Sequence, residues 1–176
     1  MNILVTGGGG FLGSAICRQL LARGEQVIAY QRRPAPQLEA QGARVVQGDL
    51  LDRTLLAHSV AGCDAVIHTA GKAGVWGAYE QYYQANVVGT DHVISACREN
   101  GVPWLVHTSS PSVVHGGGDI EGGDESLPYP ARFTAPYPET KALGEQLVMA
   151  ASGVRLATVS LRPHLIWGPG DPHLLP

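Results

Sequence analysis

Asn2-Ile3-Leu4-Val5-Thr6-Gly7-Gly8-Gly9-Gly10-Phe11-Leu12-Gly13 decides the fold. The apolar run before the glycines reads as a strand buried on both faces, the kind that parallel sheets use. Beyond them, Leu12, Ala15, Ile16 and Leu20 recur at helical spacing, and Gly24 closes that helix. Glycines at 7, 10 and 13 then answer three separate needs: a sharp turn, a backbone that approaches a pyrophosphate, and a helix packed close to the sheet. The helix start, with Phe11 and Leu12, offers unpaired N–H groups and a partial positive charge to phosphates. A tight turn alone explains a glycine-rich run, but this one stands between the first strand and the first helix, which favours a dinucleotide. A P-loop is excluded, because no Lys-Ser/Thr follows the glycines.

The rest of the chain alternates in the same way. Strands are expected at 27–30, 43–47, 64–68, 104–108 and 154–161. Helices are expected at 54–60, at 79–100 with its end marked by Gly101 and Pro103, and at 137–152 with Leu143, Leu147, Val148 and Ala151 on one side. Residues 111–136, dense in Gly, Pro and acids, read as a long functional loop. Each parallel crossover needs a covering helix, so the expectation is an α/β fold: a Rossmann-type doubly wound parallel sheet with helices on both faces. The dinucleotide-binding domain is expected over 1–168. Residues 169–176 are expected to open a substrate-binding region, with the remainder of that region expected to be absent.

Length and composition bound the function. A chain of 176 residues suits one well-cored domain, and a formal net charge of −3 gives no basic stripe for nucleic acid. No run approaches the roughly 18–20 apolar residues of a membrane span. Met1 leads directly into the first strand without a leader, and Cys17, Cys63 and Cys97 are scattered in apolar contexts. Buried thiols in a reducing, cytoplasmic compartment are therefore expected. None of the seven histidines joins a cluster with metal-ligand spacing, so no metal is expected.

The end of the second strand chooses the nicotinamide. An NAD enzyme usually carries an acid there for the ribose 2′-hydroxyl. Tyr30-Gln31-Arg32-Arg33 has none, and Arg32 and Arg33 suit a 2′-phosphate, which makes NADP(H) the expected cofactor; a solvated turn is the alternative. Asp49, with Leu50 beside it, lies where the adenine would rest, although Asp49 serves equally as a helix cap. Thr69, Ala70 and Gly71 let a cofactor cross the sheet edge closely, and His68 beside them reads as a packed histidine rather than a catalytic one.

Tyr137 and Lys141, four residues apart at a helix start, share one face a turn apart. A free tyrosine titrates near 10, and a neighbouring ammonium stabilises its phenolate, so the pair suits proton transfer near neutrality. Lys141 also has donors to spare for the nicotinamide ribose. Thr108-Ser109-Ser110 ends the fifth strand at the same edge, where a hydroxyl stabilises a developing oxyanion. Ser110 is preferred to Ser109 and Ser112. Asn86, a poor helix former inside a long helix, either holds a proton-relaying water or makes a structural hydrogen bond.

Together these motifs resemble the extended short-chain dehydrogenase/reductase family, which includes the NAD-dependent epimerases and dehydratases. They are Thr6-Gly7-x-x-Gly10-x-x-Gly13, His68-x-Ala70, Asn86-Val87-x-Gly89-Thr90, Thr108-Ser109-Ser110, Tyr137-x-x-x-Lys141 and Leu161-Arg162-Pro163. Lys72-Ala73-Gly74-Val75-Trp76-Gly77, Gln84-Ala85-Asn86-Val87-Val88-Gly89-Thr90, Ala135-Pro136-Tyr137-Pro138-Glu139-Thr140-Lys141 and Leu165-Ile166-Trp167-Gly168-Pro169-Gly170-Asp171 narrow it to the 3β-hydroxysteroid dehydrogenase-like branch and its bacterial 2-alkyl-3-oxoalkanoate reductases. The resemblance implies hydride transfer between NADP(H) and a β-keto or β-hydroxy acyl, or steroid-like, substrate. Tyr137 is then the general acid, Lys141 its partner, Ser110 the carbonyl holder, and Thr108 and Pro163 line the cofactor. It implies a homodimer through the helices at 79–100 and 137–152. Family members continue for a comparable length beyond this sequence. A nucleotide-sugar epimerase or dehydratase, and a cofactor-binding module without catalysis, remain as alternatives. Val75 and Trp76 either line an alkyl pocket or pack as an ordinary loop.

Overall fold

The computed structural model describes residues 1–74 and 76–171; Val75, with its expected pocket role, and most of the region expected from 169 onward lie outside the described residues. Six strands, β1 (Asn2–Thr6), β2 (Gln26–Gln31), β3 (Arg44–Gln47), β4 (Ala65–His68), β5 (Trp104–Thr108) and β6 (Ala157–Leu161), make one sheet in the order β3-β2-β1-β4-β5-β6. Every pairing is parallel. The chain winds outward from β1 to β3, returns to β4 beside β1, and winds outward the other way. The switch between β1 and β4 opens a crevice at the carboxyl ends of the strands, where α/β sheets hold their ligands.

Successive strand side chains face opposite sides, and the sequence fills both. Ile3, Val5, Val27 and Ala29 pack with Cys17 of α1 (Phe11–Ala22) and Leu38 of α2 (Pro36–Ala40). Leu4, Tyr30, Val66 and Leu105 pack with Leu56 and Val60 of α3 (Arg53–Val60). The same core takes Val93, Ile94 and Cys97 of α5 (Gly89–Glu99) and Val148 of α6 (Pro136–Ala151). The doubly wound expectation is borne out. The three cysteines are free and buried, and burial pushes the thiols of Cys17 and Cys97 up to about 11 and about 12, as inert core residues. No described helix is long and apolar enough to cross a membrane.

Several elements differ from the sequence expectation. The five-residue α2 was not expected; Pro36 starts it with a preset φ, but it is too short to show periodicity. The helix expected over 79–100 is α4 (Tyr79–Tyr83), a π turn (Gln84–Val88) and α5 in succession. β6 begins at Ala157, because Gly153 and Leu156 pair with each other first. α6 buries Thr140, Lys141, Gly144, Glu145 and Val148, whereas Leu143 and Leu147 are only half-buried, so its inner face is more polar than expected. Asp52, not Asp49, caps α3 by accepting from the Leu55 amide; Asp49 instead accepts from the Leu51 amide in the preceding turn.

The turn from β1 into α1 is tight. Gly7 adopts φ +67, donates its N–H to the Tyr30 carbonyl at 2.8 Å and accepts from the Gly10 amide at 2.8 Å. A Cβ on Gly13 would overlap the Gly7 carbonyl oxygen, a backbone atom that cannot swing aside. Gly13→Ala is therefore expected to cost about 2–3 kcal/mol through overpacking and to lower the thermal midpoint. A wild-type melting curve would refute this account of the turn.

Candidate functional site

At the crevice the strand ends and the helix start converge. The amides of Phe11, Leu12 and Gly13 have no acceptor among the described residues, and twelve aligned peptides of α1 stand behind them. Thr69 closes the neighbouring loop by donating its hydroxyl to the Thr6 carbonyl at 2.6 Å, and the Ala70 amide donates to the Thr6 hydroxyl at 3.2 Å. A Cβ on Gly7 would stand 3.0 Å from Ala70, so the two loops touch backbone to backbone. Gly71 is exposed beside them, and Pro163, half-buried, follows β6. A Cβ on Gly168 would lie 3.7 Å from the Phe11 ring, which brings the segment after β6 alongside the start of α1.

The cofactor-selecting end of β2 holds a residue that sequence reasoning passed over. Gln31 is buried, its Nε2 donates to the Arg33 carbonyl at 2.8 Å, and its Oε1 has no partner. That oxygen lies where a Cβ on Gly9 would be, directly beside the cradle. Its signal was its position, at the place usually held by an acid. Arg32 and Arg33 are exposed, Asp49 is exposed in its turn, and Leu50 is not: its side chain lies in the core and its carbonyl pairs with His92 at 2.9 Å.

Tyr137 and Lys141 occupy the first two turns of α6. Tyr137 is half-buried, with no protein partner for its hydroxyl among the described residues. Lys141 is buried; its Nζ donates to the Thr108 carbonyl at 2.6 Å and lies 3.3 Å from His107 Nε2. Burial lowers the ammonium to about 8, against the pull of Glu145, one turn on. Ser110 is half-buried at the same edge; its Oγ lies 2.8 Å from that of Ser112 and accepts from the Ser112 amide. His68 is buried between Thr6 and Thr90, a packed histidine as expected, and burial followed by the charge of Lys141 holds it at about 3.

This geometry has known counterparts. The chain matches the 3-beta hydroxysteroid dehydrogenase/isomerase family over residues 4–176. The chain belongs to that family. It is 55% identical to the 2-alkyl-3-oxoalkanoate reductase of Stenotrophomonas maltophilia (strain K279a), covering 100% of this chain and 54% of that protein. It is 46% identical to the 2-alkyl-3-oxoalkanoate reductase of Shewanella oneidensis, covering 99% of this chain and 47% of the other. Among solved structures, MoeE5 in complex with UDP-glucuronic acid and NAD superposes with a TM-score of 0.86 at 34% identity, over 99% of this chain and 58% of that one. The chain thus spans about half the length of the relatives it matches.

In this 3-beta hydroxysteroid dehydrogenase/isomerase family member, one feature of the site was left open between two roles by the sequence, and a second was hidden from it. Asn86 makes structural hydrogen bonds: Nδ2 donates to the Lys72 carbonyl and to Thr140 Oγ1, and Oδ1 accepts from the Lys72 amide. Thr140 passes the tie to the Pro136 carbonyl, so one side chain links the loop after β4 to the turn that carries Tyr137. Trp76 in that loop is 86% exposed, so it does not pack as an ordinary loop residue.

The second feature is Glu145. It is buried, accepts from both Nε and Nη2 of Arg162, and accepts from the Tyr129 hydroxyl at 2.7 Å. Tyr129 belongs to the long acidic loop, so this cluster joins that loop, α6 and the end of β6. Burial pushes the Glu145 carboxyl up, but Arg162, the facing Ser109 hydroxyl and the Tyr129 hydroxyl outweigh it and hold it below the usual range. The Ser109 hydroxyl makes no bond of ideal geometry, yet it faces the carboxylate closely enough to favour its charge.

A depressed folded-state value means that the Glu145 contribution is full above the ordinary range, about 4.3, and fades as pH falls through the lower folded value. Glu145→Gln leaves Arg162 without its counter-charge and is expected to cost about 3–5 kcal/mol at neutral pH in urea unfolding. The gap to wild type should narrow as the medium is acidified below about pH 4. Equal stabilities at pH 7 would dismiss the cluster as a clamp.

Proposed function

We propose that this chain is the dinucleotide-binding part of an NADP(H)-dependent oxidoreductase that interconverts a β-keto and a β-hydroxy acyl compound, in the manner of a 2-alkyl-3-oxoalkanoate reductase. The observation that carries the reading is the buried Lys141 ammonium, one turn from Tyr137 and hydrogen-bonded to the end of β5. The crevice fits a dinucleotide. Its glycines leave no room for a Cβ, the first amides of α1 are unpaired among the described residues, and the Gln31 carbonyl oxygen is buried without a partner.

Gly7, Gly10, Phe11, Leu12 and Gly13 would hold the pyrophosphate, and Asp49 would flank the adenine, with Leu50 supporting that turn from the core. Thr69, Ala70, Gly71, Thr108, Lys141 and Pro163 would line the nicotinamide half. When bound, the nicotinamide supplies or accepts hydride. Tyr137 donates its proton to the substrate oxygen as charge develops there, and Lys141 stabilises the phenolate that remains. Ser110 donates a hydrogen bond to the same oxygen, and Asn86 holds the surrounding backbone in register. NADP(H) is favoured because β2 ends in the neutral Gln31 followed by two exposed guanidinium groups, which attract a 2′-phosphate that a carboxylate would repel. We further infer a cytoplasmic homodimer that joins α4–α5 and α6 of two copies.

A nucleotide-sugar epimerase or dehydratase using NAD is the second reading, favoured by the similarity to MoeE5, whose structure holds UDP-glucuronic acid and NAD. Titration with each reduced nicotinamide, followed by nucleotide fluorescence, separates the two. NADPH is expected to bind about tenfold or more tightly than NADH, and Arg32→Ala with Arg33→Ala to abolish the difference. Tighter NADH binding would shift the reading to the epimerase class. With a β-keto ester as substrate, Tyr137→Phe is expected to lower turnover by about 100-fold or more while NADPH binding stays unchanged. Undiminished turnover in that variant would remove Tyr137 from the chemistry, whereas NADPH binding without turnover in the wild-type chain would leave a binding module.

A further inference from the structure

We propose that His107 is the positioning residue of the Lys141 ammonium: its neutral imidazole accepts one of the three N–H bonds at Nε2, the Thr108 carbonyl accepts a second, and one is left for the crevice. The inference rests on the reading that Lys141 serves the dinucleotide and Tyr137.

The hydrogen bonds fix the proton positions in turn. An ammonium has no lone pair, so at 3.3 Å it is the donor and His107 Nε2 the acceptor. The ring proton then sits on Nδ1, which donates to Ser160 Oγ at 2.8 Å. Behind His107 the ring of His68 stacks at 5.5 Å between centroids, tilted by 28°. Its tautomer follows from its neighbours. The Thr90 hydroxyl gives its one proton to the Asn86 carbonyl at 2.7 Å, so it accepts from His68 Nε2 at 3.0 Å. His68 Nδ1 accordingly accepts from the Thr6 hydroxyl at 2.7 Å, which itself accepts the Ala70 amide. Both imidazoles are therefore neutral, and each has both nitrogens in use. His107 is held in plane by a ring below and by Ser160 at its far side, with its free lone pair toward Lys141.

The groups facing Lys141 are few. Tyr137 and Glu145 flank it on α6, and Arg162 and Tyr129 share Glu145. From the sheet come His107 on β5 and His68 on β4. Burial, then the charge of Lys141 and the neighbouring His68, drives His107 well below the usual imidazole range, which keeps the acceptor in place throughout neutral pH. Removing that acceptor withdraws a bond that is stronger to the charged amine than to the neutral one, so the ammonium should release its proton more readily.

Lys72 and Lys141 are the only lysines in the sequence, so the chain labelled with 13Cε-lysine gives two titrating signals, with Lys72 as the internal reference. His107→Phe is expected to lower the Lys141 midpoint by about one pH unit, a tenfold loss of proton affinity, with Lys72 unmoved. His107→Gln, whose amide oxygen reaches the Nε2 position, should restore it close to the wild-type value. Ser160→Ala, at a half-buried site on the edge strand, leaves the Nδ1 N–H without its acceptor and should shift Lys141 in the same direction without touching it. Equal midpoints in wild type and His107→Phe, or equal shifts in the Phe and Gln variants, would reduce His107 to packing. Should the Phe variant not fold, an unmoved Lys141 in Ser160→Ala would do the same. Lys141→Met separates the underlying reading: NADPH binding as tight as wild type would remove Lys141 from the cofactor, while the titration still decides the role of His107.

Discussion

A buried ammonium organises this site. Taking Lys141 out of water removes hydration that the protein must replace with acceptors in fixed places. Two of them, the Thr108 carbonyl and His107 Nε2, lie at the end of β5, so α6 has to lie close against that edge. Close approach is built in elsewhere on the helix: a Cβ on Gly144 would overlap the Asn86 carbonyl, so only glycine lets α6 settle onto the π turn. The π turn in turn places Asn86 to grip Lys72 and Thr140. Helix, turn and loop thus share one constraint, and Tyr137, in the first turn of α6, inherits its position from it.

That dependence explains what could be read from sequence. Strands β1, β4 and β5 were legible because parallel strands buried on both faces leave uninterrupted apolar runs, and Gly7, Gly10 and Gly13 were legible because backbone approach admits nothing larger. Tyr137 and Lys141 carried their spacing openly. The π turn could not be seen, since one extra residue in a helical turn leaves the apolar pattern nearly intact, and the contact it serves joins Asn86 to a loop fourteen residues away in sequence. Glu145 was hidden for a similar reason. A glutamate on a helix reads as solvated until Arg162, Tyr129 and Ser109, all distant in sequence or on other elements, are brought around it. Asp49 was misread as a candidate cap because Asp52, three residues on, satisfies the same local rule and has the helix directly after it.

The two halves of the crevice use different physics. The side built from α1 and β2 acts through what is missing: side chains absent from the glycines, amides and a Gln31 oxygen without partners, and no carboxylate where one would repel phosphate. The side built from β5 and α6 acts through saturation, since Lys141, His107, His68 and Thr90 already engage one another. A dinucleotide can then bind the first side, its phosphates supplying acceptors to the free amides and a hydroxyl supplying the donor that the Gln31 oxygen lacks, whereas the second side is already largely engaged. Preorganisation of that kind is what proton transfer requires, because a donor that had to reorganise during the reaction would lose its electrostatic advantage. Thr6 joins the two: its carbonyl and hydroxyl bind the loop after β4, and the same hydroxyl donates to His68 Nδ1. The last residue of β1 therefore contributes to the geometry of the amine at the end of β5, although two strand spacings separate them.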